Sequence, residues 1–141
     1  MPTGKAISTS DDVRALLERE NTLVLATTAD DGTPIATPLF YYPDGEGNLY
    51  WLSSPDSRHS RNLSARPRVA VAVFAQVSHW KEIRGVQMEG AAETVTDPAA
   101  RAAMLGPYRR CFALGPELDE VIERSAMYVF RPEWWHYIDS L

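Results

Sequence analysis

The chain has 141 residues, 45% hydrophobic and 23% charged, with a net charge of −5 and a pI near 5.1. A chain of this length and make-up buries its own core, and its acidic balance excludes a general nucleic-acid binder. One cysteine, Cys111, excludes an internal disulfide framework and a cysteine metal site, and His59, His79 and His136 lie too far apart for metal-ligand spacing, so no metal is expected.

No linker, repeat or low-complexity tract divides the sequence, so residues 1–141 read as one domain with 1–8 as a loose N-terminus. The first twenty residues hold no apolar run of signal-peptide type and no spanning segment follows. The expectation is a cytoplasmic protein that meets neither membrane nor nucleic acid.

Taken in order, Ser8, Thr9 or Ser10 can cap a helix starting at Asp11, with Val13, Leu16 and Leu17 as its apolar stripe and its end near Glu20. Residues 22–28 (TLVLATT) form a buried strand, Asp31-Gly32 sits in a hairpin turn, and residues 34–42 (PIATPLFYY) return as its partner. Pro38 in that strand predicts an edge, a bulge or an open ladder, and an open ladder leaves free backbone groups that suit a ligand. A second turn leads to a strand over 49–53, and from Ser57 a helix runs to about Ala65. Residues 69–74 form another buried strand. Residues 79–96 read as one long strand, in which Gly85 and Gly90 suggest bulges. A helix from Pro98 should break at Gly106-Pro107, and a short helix should occupy 116–124. Strands at 127–131 and 134–138 close the chain, split by Pro132. About six strands with hairpin turns and short helices give a mainly β fold, a β-barrel with helical inserts.

The sharpest local signal is LYWLSSPDSRHSRNL, Leu49 to Leu63. Its strand ends where a helix begins, and the first helical turn carries Arg58, His59, Ser60 and Arg61. A helix N-terminus favours anions through its unpaired N–H groups and its dipole, and arginine adds a planar fork of donors suited to phosphate. The competing account is a solvated basic helix face. No serine sits in a nucleophile elbow, and a Ser53–His59–Asp triad has no support beyond chance co-occurrence. Trp134-Trp135-His136-Tyr137 reads as core or interface ahead of a stacking surface for a flat ligand.

Three blocks then carry a resemblance: LVLATTADDGTPIATPLFYY, NLYWLSSPDSRHSRNLSARPRVAVAVF and EIRGVQMEGAAETV. In this order they resemble the pyridoxamine 5′-phosphate oxidase-like flavoproteins, over about residues 23–96, and IRGVQMEG looks closest to a small uncharacterised branch. The resemblance implies a six-stranded FMN-binding split barrel of Greek-key type, acting as a homodimer with FMN in clefts at the dimer interface. It implies that Thr37, Pro38, Leu39 and Phe40 flank the isoalloxazine ring, that Leu52 and Ser53 lead toward the phosphate, and that Arg58 and His59 hold it, with Ser60 or Arg61 in support. It further implies a tryptophan, Trp135 or its neighbour Trp134, covering the ring from the partner subunit.

Two positions depart from the family pattern. His59 stands where the family usually has lysine, which weakens the phosphate grip when the imidazole is neutral. Gly85 stands where a glutamine often touches the flavin, and Gln87, on the same strand face, takes its place. The ending RPEWWHYIDSL lacks the arginine-rich close of true pyridoxamine phosphate oxidases. The implied activity is an FMN-dependent oxidoreductase acting on a small molecule. The alternatives are a deazaflavin in place of FMN, a non-catalytic flavin or haem carrier or sensor, and a cofactor-free dimeric member of the fold.

Overall fold

The computed structural model describes residues 6–7 and 10–140. The expected loose start, residues 1–8, lies outside the described residues except for Ala6 and Ile7, and Ile7 is buried in the core.

Helix α1 (Asp11–Arg19) begins where Ser10 caps it, accepting from the Val13 N–H. Its acidic first turn suits the positive helix end, and Val13, Leu16 and Leu17 are buried as the stripe predicts. Each such burial contributes about 2 kcal/mol. Strands β1 (Thr22–Thr28) and β2 (Pro34–Phe40) form the first hairpin, turning at Gly32, whose φ of 88° favours glycine. After Tyr41 the chain continues as β3 (Tyr42–Pro43) and pairs with β4 (Leu49–Ser53). Helix α2 (Arg58–Ala65) follows, then β5 (Arg68–Phe74), a 3-10 turn at Trp80–Glu82, and β6 (Arg84–Thr94). Helix α3 (Pro98–Cys111), a 3-10 turn at Pro116–Leu118, α4 (Asp119–Arg124) and β7 (Ala126–Asp139) complete the order.

The strands form one antiparallel sheet in the order β2-β1-β5-β6-β7-β4-β3. Its two ends, β2 and β3, are halves of a single run interrupted at Tyr41, so the sheet curls back on itself into a barrel of six physical strands. Alternate side chains point inward: Leu23 and Leu25 from β1, Val69, Val71 and Val73 from β5, Val86 and Met88 from β6. Trp51, Tyr128 and Phe130 fill the middle, and Leu63 of α2 joins the same core.

Four expectations are corrected. The strand drawn from His79 starts only at Arg84, because the His79 side chain accepts from the Lys81 N–H and holds a 3-10 turn. Helix α3 runs through Gly106-Pro107 to Cys111: proline removes one main-chain bond, and burial of Tyr108 just beyond holds the next turn. The short helix at 116–124 is a 3-10 turn followed by a six-residue helix. The two closing strands are one, β7, because a register shift at Glu89/Gly90 sets Gly90 opposite Pro132 and Glu89 opposite Trp134. That bulge absorbs Pro132.

Candidate functional site

The site follows from where the sheet parts. Tyr42 pairs with Tyr50 and Pro43 with Leu49. Continued, that register would set Phe40 level with Leu52 and Leu39 level with Ser53. The pairs do not form, because β2 has left β4 to pair with β1. Tyr41 marks the point of departure: its N–H donates to the Asn21 carbonyl at 3.0 Å and its hydroxyl to the Leu17 carbonyl at 2.7 Å. The segment Pro38–Phe40 and the end of β4 thus face each other across an open split, as Pro38 predicts for an edge.

Beyond Ser53 the chain turns through Ser54-Pro55-Asp56 into α2. Ser57 is the N-cap and accepts from the Ser60 N–H at 3.3 Å. Its hydroxyl lies 2.7 Å from that of Ser60, which is fully buried. The His59 Nε2 lies 2.9 Å from the Ser53 hydroxyl and 3.3 Å from that of Ser57. Burial pushes the imidazole below its ordinary value, so it is neutral at pH 7. Ser53, Ser57, His59 and Ser60 therefore form one polar cluster where β4 ends and α2 begins.

Arg58 and Arg61 lie elsewhere on α2. They line a groove of about 700 Å³ with Asn62 and the turn residues Asp30 and Asp31. Asn62 is buried and donates to the Thr27 hydroxyl at 3.1 Å, and Arg66 donates to the Thr28 carbonyl and pairs with Asp30 at 3.0 Å. These bonds fix the helix against β1. Thr33, through side chain and backbone, holds the Asp31 carboxyl below its usual range, with a smaller pull from Arg58. Neither Arg58 nor Arg61 forms a salt bridge among the described residues, whereas Arg66, Arg68, Arg84, Arg109 and Arg131 each do.

Gln87 lies on the outer sheet face, opposite Ala72 on one side and His136 on the other. With Glu89 and Trp134 it rims a shallow apolar groove of about 380 Å³, floored by Val24, Ala26, Ala70 and Ala72. Trp135 is not on that face. It packs against the core, and the bulge in β7 leaves Trp134 beside Gln87 instead. Thr37 and Leu39 are half-buried, Leu39 against the core, while Pro38 and Phe40 are exposed.

Sequence reasoning overlooked Tyr108 and Phe112. Tyr108 is buried, and burial raises its phenol above the ordinary value. The Phe112 ring lies 4.9 Å from Tyr108 and 4.9 Å from Phe40. The available signal was an aromatic pair four residues apart, closing a helix otherwise rich in alanine.

Comparison with known proteins gives the same frame. The family model described as pyridoxamine 5′-phosphate oxidase matches residues 9–139. A pyridoxine/pyridoxamine 5′-phosphate oxidase of Rubrobacter xylanophilus is 32% identical over 91 residues, which is 64% of this chain and 40% of that enzyme. The chain spans between 35% and 41% of the length of the curated oxidases it matches. Among solved structures, a conserved hypothetical protein of Mycobacterium tuberculosis superposes with a TM-score of 0.73 at 25% identity, covering 92% of this chain and 84% of that one. An F420 reductase superposes with a TM-score of 0.68 at 27% identity, covering 87% and 94%. With a split barrel, an opening at Tyr41 and a match over nearly its whole length, the chain belongs to the pyridoxamine 5′-phosphate oxidase family.

Proposed function

We propose that the protein binds FMN in the split between β2 and β4 and acts as a flavin-dependent oxidoreductase on a small molecule. The observation that carries this is the parting of the sheet at Tyr41, which opens Pro38–Phe40 and Leu52–Ser53 toward the N-terminus of α2. The residues present fit the cofactor. Arg58 is a cation without a carboxylate partner among the described residues, and the first turn of α2 offers N–H donors to an anion. The Ser53–His59 pair adds hydroxyl and imidazole groups at the same end. The edge of β2 presents backbone to a flat ring. When bound, the flavin would supply the electron chemistry, and the chain's part is to hold the phosphate, flank the ring and exclude water.

A second copy is the proposed cover of the outer face. The small residues Val24, Ala26, Ala70 and Ala72 form an apolar floor there, with Trp134 at its rim, and a homodimer would shelter it. A deazaflavin is the second cofactor reading, supported by the likeness to an F420 reductase.

The test is the visible spectrum of the purified protein, taken again after addition of FMN and desalting. A retained two-band flavin spectrum is expected. A single sharp Soret band would replace the flavin with haem. A protein that stays colourless after FMN addition would end the FMN reading, and a deazaflavin titration would then decide the second one.

A further inference from the structure

We propose that the groove along α2 takes the nucleotide half of an extended cofactor, with Arg61 holding a second phosphate, so that the site favours flavin adenine dinucleotide (FAD) over FMN. This rests on the flavin reading and carries it from the split onto the outer face of α2.

Helix α2 presents two different faces at its start. Successive residues of a helix stand about 100° apart. His59 therefore turns to Ser53, while Arg58, Arg61 and Ala65 share the face that lines a groove of about 700 Å³. The opposite wall of that groove is the turn between β1 and β2, with Ala29, Asp30 and Asp31. The groove and the Ser53–His59 cluster meet at one place, the N-terminus of α2 capped by Ser57. An anion held there can carry a head into the split and a tail along the groove.

Hydrogen bonds fix both walls. Buried Asn62 donates to the Thr27 hydroxyl, and Arg66 donates to the Thr28 carbonyl and pairs with Asp30, which ties α2 to the end of β1. The turn is closed by the Ala29 N–H, which donates to the Thr33 carbonyl at 2.9 Å, and by the Thr33 N–H, which donates to the Asp31 carboxylate at 3.0 Å. Asp30 is thus already neutralised by Arg66. Arg58 and Arg61, neither in an ion pair among the described residues, are left facing the Asp31 carboxylate.

That charge pattern selects the ligand. Side chains three residues apart on a helix stand about 5–6 Å apart at Cβ, a spacing that two linked phosphates bridge, and each guanidinium offers a planar fork of donors. A purely anionic tail would meet Asp31 as a like charge. A nucleotide meets it with a ribose diol, whose hydroxyls donate to a carboxylate. The bonds from Thr33 hold the Asp31 carboxyl below its usual range, so it remains an acceptor at working pH. Two cations facing one carboxylate are the complement of phosphate joined to sugar.

The experiment measures the affinities of FMN and FAD at pH 8 and low salt for wild type, Arg61→Gln and Asp31→Asn. The two ligands share the ring and carry the same charge at that pH, so the ratio of their affinities reads the groove. Both substituted residues are exposed, and thermal midpoints should match wild type. Wild type should bind FAD about tenfold tighter than FMN, the size of one charge-assisted hydrogen bond. Arg61→Gln should bring the ratio to about one, and Asp31→Asn, whose amide oxygen still accepts from Thr33, should lower it about threefold. FMN binding with no gain for FAD would overturn this inference and leave the flavin reading standing. A ratio that survives Arg61→Gln would overturn it as well, because the second phosphate would then lie elsewhere. A ratio that rises in Asp31→Asn would show a groove that reads charge alone and would overturn the nucleotide assignment. Binding of FAD without FMN would support the groove and replace FMN as the cofactor. Failure of wild type to bind either ligand would overturn the groove and the flavin reading together.

Discussion

On the proposed flavin reading, His59 should make FMN retention pH-dependent, and the direction follows from its surroundings. In the free protein the imidazole is half-buried against Ser53 and Ser57, and burial holds its pKa below the ordinary 6.5. A phosphate beside it favours the imidazolium, so FMN binding takes up a proton and affinity rises as pH falls. One opposite charge nearby moves a pKa by about one to three units. Each unit is about 1.4 kcal/mol, or tenfold in affinity. Because His59 is only half-buried, the low end applies, a gain of about tenfold in full below the free imidazole's pKa and at most about threefold by pH 6.5. The window lies above pH 6.5, because below it the ligand's own second phosphate proton returns and opposes the trend. The assay is FMN affinity between pH 6.5 and 8.5 for wild type and His59→Gln, with riboflavin as the phosphate-free control. Wild type should tighten toward pH 6.5, while His59→Gln and all riboflavin titrations stay flat. A His59→Gln profile that parallels wild type would show that this imidazole does not meet the phosphate. For stability alone, a depressed histidine contributes fully above pH 6.5, and the contribution is lost as pH falls through the folded value. Acid should therefore weaken the apo fold where it strengthens FMN binding.

Two further predictions concern the frame. A Cβ on Gly90 would stand 3.0 Å from the Arg131 carbonyl carbon and 3.1 Å from the Pro132 Cα, both backbone atoms that cannot step aside. Gly90→Ala should cost about 3 kcal/mol, the upper end of overpacking, and lower Tm by about 10 °C. Gly85→Ala, whose Cβ would lie 3.3 Å from the Val73 carbonyl oxygen, should cost much less, and equal melting of the two variants would refute the account of the bulge. On the outer face, Ala72→Arg places a charge on the apolar floor. Wild type should sediment as a pair of 15.8 kDa chains and the variant as a single chain with unchanged circular dichroism. A variant that still pairs would place the dimer elsewhere.

Much of this architecture was legible because local chemistry and tertiary demand agree. Ser10 and Ser57 cap the helices whose starts they signal, and β1 and β5 alternate as their valines and leucines require. Pro38 signalled an edge and the sheet is open there. Where the reading failed, a distant partner decided. Pro132 looks like a strand break until a bulge in β7, opposite Glu89/Gly90 of β6, absorbs it, and the same bulge sends Trp135 to the core and Trp134 to the outer face. A shift of one residue exchanges strand faces, and no local signal fixes which of two adjacent tryptophans turns outward. Arg58 and His59 are neighbours in sequence, yet one lines the groove beside Asp31 and the other joins Ser53. Phe112 went unnoticed because its ring partner Phe40 lies on β2, more than seventy residues earlier.

The split itself has a physical origin in one residue. An antiparallel pair that begins at Tyr42 and Tyr50 has every local reason to continue, since each further step satisfies two backbone groups. It stops because Tyr41 is held from the other side. The last turn of α1 leaves carbonyls without helical partners, and the Tyr41 hydroxyl satisfies that of Leu17 while its N–H satisfies Asn21. With its side chain only 1% exposed, the residue cannot be released without cost. The chain before it is thereby committed to β1 and the chain after it to β4. The edge exposed between them is the price of closing a barrel around α1, and the same edge carries Thr37 to Phe40 on one lip and Leu52 and Ser53 on the other. The opening is thus set by core contacts at Tyr41 rather than by the course of a loop.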